Sequence, residues 1–228
     1  MAREHAKVPA WQGPLLRVLE TGPLPQQSDC QAHWRLLHCW QAEVVLPLLA
    51  RALPEHDHAV TTLRRLHQRA SLGLRGRVGE WRIALGPVLL AVFRRAYAFD
   101  SAYAQAYDSA LDYGLAPSNQ AMIAGQFGDA EAFARHYAQL STDANAQAFA
   151  TANATASSMI AARAYASEDE QACASVVGAL ARVCIWACAD SMAHSMARHA
   201  AVREQLAAGL QHLANQHESG RNVWINRH

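Results

Sequence analysis

Arg182, Trp186, Asp190, His194 and Arg198 recur every four residues, so on one helix they form a single slowly drifting stripe. Asp190 beside His194 is the combination a general base needs, because a carboxylate selects the imidazole tautomer and supports the imidazolium. In an enzyme these two residues would carry the proton transfers. Trp34, His38 and Trp186 would shape the cavity, and Arg198 would add a ligand contact. The same stripe also suits a solvated or interfacial helix face, and both readings stay open. No Gly-rich phosphate loop, HExxH, GxSxG or Walker pattern occurs, so neither a nucleotide nor a metal cofactor is expected.

Other groupings are weaker. Cys184 and Cys188 lie one turn apart with His199 on a similar side, but zinc would need a fourth ligand from elsewhere, and packing is the expected role. His33, Trp34, His38, Cys39, Trp40 and Glu43 crowd into about three turns. Trp34 and His38 share a face, either the wall of a ligand pocket or a satisfied core histidine packed on tryptophan. Glu55-His56-Asp57-His58 suits a solvated turn and cap. Asp100, Asp108 and Asp112 alternate with Tyr97, Tyr103 and Tyr107 on a stretch without a basic partner, so these acids are expected to face water or an oppositely charged protein surface. Arg94 and Arg95, just before them, can offset that charge.

The elements that must position these groups are helices. Alanine supplies 48 of the 228 residues while β-branched and aromatic residues are sparse, which favours helix over sheet. Residues 1–29 hold Pro9, Gly13, Pro14, Gly22, Pro23 and Pro25, the pattern of an irregular arm. Helices are expected from about Asp29 with a kink near Pro47, from Pro54 and Asp57 to a stop between Gly73 and Gly79, and from Glu80 to Tyr97. Asp100 is the expected N-cap of the next helix and Gly114 its end. Pro117, Gly125 and Gly128, around a short helix, make Leu115 to Asp129 the best hinge between an N-terminal helical half, 30–115, and a C-terminal half, 116–228. In that second half Asp129 caps one helix and Thr142 or Asp143 another. Ser167 and Glu170 form a capping box that starts a helix running on toward Ala214, with a break near Gly209. The whole is expected to be all-α, a compact multi-helix bundle or short irregular helical stack of about seven to nine helices.

Twenty Lys and Arg against nineteen Asp and Glu leave a net charge of +1, with no global field to steer a polyanion, so nucleic acid is not an expected partner. The longest strongly apolar run, Ile83 to Phe93, is too short to span a bilayer, and no membrane partner is expected. Five cysteines without a CxxC pair or a secretory signal suit reduced core thiols of a cytoplasmic protein.

Cys39-Trp40-Gln41-Ala42-Glu43-Val44-Val45-Leu46-Pro47-Leu48, then Pro54-Glu55-His56-Asp57, then Leu63-Arg64-Arg65 with an end near Gly73, resembles the opening of the helical immunity proteins of bacterial polymorphic-toxin systems. The likeness covers residues 39–73, and the long N-terminal arm and the length of the second half depart from that family's compact pattern. It implies a cytoplasmic, toxin-neutralising binding protein and carries over no catalytic residue. The sequence therefore points first to a bacterial protein-binding module that occludes a partner's surface, with Trp11, Trp81, Trp224, Arg94 and Arg95 as candidate anchors. The alternative is a cofactor-independent small-molecule enzyme of a specialised metabolic pathway, using Asp190 and His194 in a pocket between helices.

Overall fold

The computed structural model describes residues 30–167, 170–189 and 195–225, and these contain helices and turns but no strand. In chain order they are α1 (Cys30–Trp40), a π-helical turn (Gln41–Val45), α2 (Leu46–Ala52), a 3₁₀ turn (Pro54–His56), α3 (Asp57–Ser71), α4 (Val78–Ala96), α5 (Phe99–Leu115), α6 (Gln120–Phe127), α7 (Ala130–Ser167), α8 (Glu170–Cys188) and α9 (Ser195–Ile225). The all-α expectation holds. No single described helix is long and apolar enough to cross a membrane.

Two parts of different build follow from the side chains. The body gathers α1 to α4, α8, α9 and the end of α7 around a core that includes Trp40, Leu46, Leu49, Leu53, Val60, Leu85 and Leu206. Pro47 enters just after the π turn, which absorbs the missing donor within a continuous helical path rather than a sharp break. The turn frees the Ala42 carbonyl, which accepts from Arg64 Nε at 2.8 Å, while Arg64 Nη2 reaches Glu43 at 3.1 Å. Trp40 Nε1 donates to the Leu206 carbonyl at 2.9 Å and ties α9 to this corner.

The second part is an arm. α4 followed by α5 runs antiparallel to α7 along its length, with Trp81 beside Tyr165, Phe93 and Tyr97 beside Phe149, and Tyr113 beside Phe133. The 38 residues of α7 extend about 57 Å. Its buried positions fall every four residues, at Ala134, Ala138, Thr142, Ala146, Ala150, Ala154 and Ser158, so small side chains let the helices approach closely. Four residues turn about 40° beyond a full circle, so this seam winds around α7. The partner rod follows it through a break at Tyr97 and Ala98. Beyond that break, α5 packs along α7 and touches α6 at its end, leaving both helices of the arm exposed on their outer faces.

Several local expectations change. Ala98, not Asp100, occupies the N-cap of α5. Gly114 lies inside α5 at a close approach, where a Cβ would stand 3.1 Å from the Ala130 Cβ. Residues 116–129, where Pro and Gly suggested a hinge, make the turn at the tip of the arm. Asp129 does cap α7, its Oδ1 accepting from the Ala132 amide at 2.7 Å, but α7 then runs unbroken through Thr142 and Asp143 because the small-residue seam is continuous there. α9 passes Gly209 without a break, since a Cβ there would come within 2.7 Å of Val44. That glycine serves contact rather than termination. The Ser167 to Glu170 capping box extends onto residues outside the described part.

Candidate functional site

Of the two readings left open for Trp34 and His38, the wall of a ligand pocket or a core histidine packed on tryptophan, the structure places both residues in the core. α1 carries both residues inward, α3 adds His67, α4 adds Trp81 and α7 adds Tyr165. His38 Nδ1 and His67 Nδ1 are 2.7 Å apart, so one ring donates its proton to the bare nitrogen of the other. Both rings are 1% exposed. Trp34 meets His38 edge-on at 4.3 Å, Trp81 stacks on it at 5.4 Å, and Tyr165 stands edge-on to both imidazoles at 5.2 and 5.1 Å. Burial lowers the His38 pKa to about 3. Burial and the neighbouring His38 push His67 well below its ordinary value, so both rings are neutral near pH 7. The Trp34, His38 and Trp81 ring nitrogens, Nε1, Nε2 and Nε1, have no hydrogen-bond partner among the described residues. The cluster is a packed polar core, and Trp81, fully buried in it, is not the surface anchor its sequence context suggested.

Of the stripe, only the two ends are described. α8 ends at Cys188 and α9 begins at Ser195, so Trp186 and Arg198 sit on different helices, and Asp190 and His194 lie outside the described residues. Trp186 is 58% exposed and packs edge-on against His199 at 4.1 Å, away from the buried imidazoles. Cys184 and Cys188 are thiols whose pKa values rise through burial, Cys188 to about 11, and no cluster of three or more metal-ligating side chains occurs among the described residues. Arg95 donates to the Ala187 carbonyl at 2.7 Å and so braces α4 against the end of α8. The indoles of Trp11 and Trp224 are outside the described part.

The surface that the structure does build is at the arm tip. Between α5, α6 and the first turns of α7 lies a groove of about 530 Å3, lined by Ala110, Tyr113, Met122, Phe127, Phe133 and Tyr137 over a buried Ile123. Its rings contact one another: Phe127 is 5.1 Å and Tyr137 6.0 Å from Phe133, so the wall is pre-formed. Tyr113 and Tyr137 remain about half exposed, and Leu115 and Leu140 extend the apolar surface. A larger hollow of about 780 Å3 follows Ala144, Gln147, Thr151, Thr155 and Met159, but it lies along a single helix with no opposing wall.

Charge sharpens the contrast. Residues 100–143 hold six acids against one basic residue, Arg135, and that arginine pairs with Glu131 at 3.3 Å. Asp108, Asp112, Asp129 and Glu131 are all exposed on the elements that border the groove. The near-zero net charge of the chain hides this segregation. Sequence reading singled out Asp108 and Asp112 but missed Phe133, Tyr137, Met122 and Phe127, as well as His67 and Tyr165. The available signal was the spacing of Phe133 and Tyr137, four residues apart on a helix whose buried seam uses other positions.

No protein-family model matches the chain, and no curated protein and no solved structure matches it.

Proposed function

We propose that this is a bacterial, cytoplasmic protein-binding module that grips its partner with the tip of the arm and occludes the surface it covers. One observation carries the reading: an aromatic groove with an acidic border sits at the end of a helical hairpin that is packed along one seam only. A monomer gains nothing in stability from holding Tyr113, Met122 and Tyr137 half in water. A partner segment combining apolar side chains with arginine or lysine would bury those faces, and aromatic anchors inside a polar rim are how interfaces concentrate their energy. The resemblance of residues 39–73 to toxin-immunity proteins supplies the kind of partner, a toxin whose working surface is basic.

Capture from host lysate at moderate salt, with the wild type and with Met122→Lys/Tyr137→Lys, tests this. The expected result is one protein in near-equal amount with the wild type and its loss with the variant. Capture that ignores the substitutions refutes the assignment to the arm, and recovery of no protein refutes the function.

A further inference from the structure

At the other end of the α4–α5 rod the chain carries the chemical complement of its own groove. Residues 64–83 hold six arginines against one glutamate, Glu80, the mirror of the six acids and one arginine of the arm. Exposed among them are Leu72, Leu74, Val78 and Ile83, the first and last at 74% and 78%. Leu72 and Leu74 belong to a hydrogen-bonded turn, and Val78 and Ile83 to the start of α4. Gly73, at φ +83°, closes α3 while its amide donates to the Ala70 carbonyl and the Leu74 amide to the Arg69 carbonyl, the paired bonds of a Schellman motif. Gly76 then rests on the buried Trp81, where a Cβ would stand 2.7 Å from the indole nitrogen. Leu72 and Leu74 are therefore held outward at little further ordering cost. Glu80 accepts from the Arg77 amide at 2.8 Å with one oxygen and stands 3.9 Å from Arg69 with the other, and Arg64 pairs with Glu43, so two of the six arginines are already matched within the chain and the segment keeps an excess of positive charge.

We infer that the groove at the arm tip accepts the Leu72–Val78 turn of a second copy of this chain, with Leu74 among the aromatic rings and the neighbouring arginines over Asp112, Asp129 and Glu131. The two surfaces lie at opposite ends of a rod about 57 Å long, so the contact is head-to-tail. Two copies laid antiparallel along their rods satisfy both such contacts at once in a closed two-fold dimer, whereas copies laid end to end extend into chains or rings. This rests on the groove being a docking surface, as proposed above, and adds an occupant. Self-association would cover the groove until a foreign partner displaces the turn.

Sedimentation velocity across a range of concentrations tests it with three proteins. The wild type is expected to show an average mass that climbs with concentration to at least twice that of the monomer, and to fall back toward monomer at high salt because the attraction is charge-assisted. Leu74→Asp removes the inserted side and Met122→Lys blocks the groove. Each variant alone is expected to be monomeric, while an equal mixture joins through its one intact pair of surfaces and reaches twice the monomer mass. Complementation also reports that both variants are folded. A wild type that stays monomeric throughout, a variant that associates by itself, a mixture that remains monomeric, or a monomer whose arginine-rich end instead binds vesicles of anionic lipid would each overturn the inference. If it falls while the capture experiment still yields an arm-dependent partner, the docking role of the groove stands and only the second copy is excluded.

Discussion

Lowering the pH from 7.5 to 5.5 should weaken the fold through one buried contact. His38 and His67 meet nitrogen to nitrogen at 2.7 Å inside a shell of Trp34, Trp81 and Tyr165. The first proton keeps the bond between the rings but places a charge where water does not reach. A second would set two donors face to face. Both folded-state pKa values are depressed, that of His38 to about 3 against an ordinary 6.5. The neutral pair's stability is therefore complete above 6.5 and is lost as pH falls below it, because the unfolded chain then binds protons the folded one refuses. Each histidine contributes a slope of about 1.4 kcal/mol per pH unit below 6.5, so the two together cost about 2.7 kcal/mol at pH 5.5. Urea unfolding followed by circular dichroism at the two pH values measures this. His38→Leu/His67→Leu is the control, since replacing both partners by apolar groups leaves no orphaned nitrogen between them. It should retain only the shallower dependence from other groups, such as His199, whose pKa is also lowered by burial and by Arg203. A wild-type change below about 1 kcal/mol, or an equal change in the double variant, would refute the assignment of the acid sensitivity to this pair.

Gly209→Ala should lower stability by about 1–3 kcal/mol in thermal or urea unfolding, because the new methyl collides with Val44 at the crossing of α9 over the π turn. Gly73→Ala should cost about 1 kcal/mol by the same measurement, since its positive φ disfavours any Cβ. Ala146→Leu, set in the seam of α7, should raise hydrogen exchange in α5 far more than in α3, because the arm is pried open while the body keeps its core. Trp40→Phe should cost about 1–3 kcal/mol by removing the indole's bond to the Leu206 carbonyl and part of a fully buried ring, with the greatest loss of protection in α9.

Fold class was legible because alanine abundance and three- and four-residue apolar steps act locally, and the structure keeps helices near the expected starts at Asp57 and Glu80. Termination was legible only where the glycine acts on its own backbone, as at Gly73. Gly114 and Gly209 carry the same residue type for a different reason, the approach of a distant helix, and nothing in their own neighbourhoods announces Ala130 or Val44. The four-residue stripe through Asp190 and His194 presumes one uninterrupted helix, whereas α8 stops at Cys188 and both residues lie outside the described part. His38 did declare itself beside Trp34, but its partner His67 lies 29 residues away on another helix, and no spacing rule links them. The groove was hidden because its rings come from three helices brought together at the turn of a hairpin.

The single seam that holds the arm together has a bearing on how this protein can change over generations. The body's core and the tip's groove share almost no side chains, so a substitution at Tyr113, Met122 or Tyr137 reshapes the groove without drawing on the packing of Trp40, Leu46 or Leu206. Half-exposed positions lose little stability on replacement. Selection can therefore rewrite the tip rapidly while the helices of the body remain as they are.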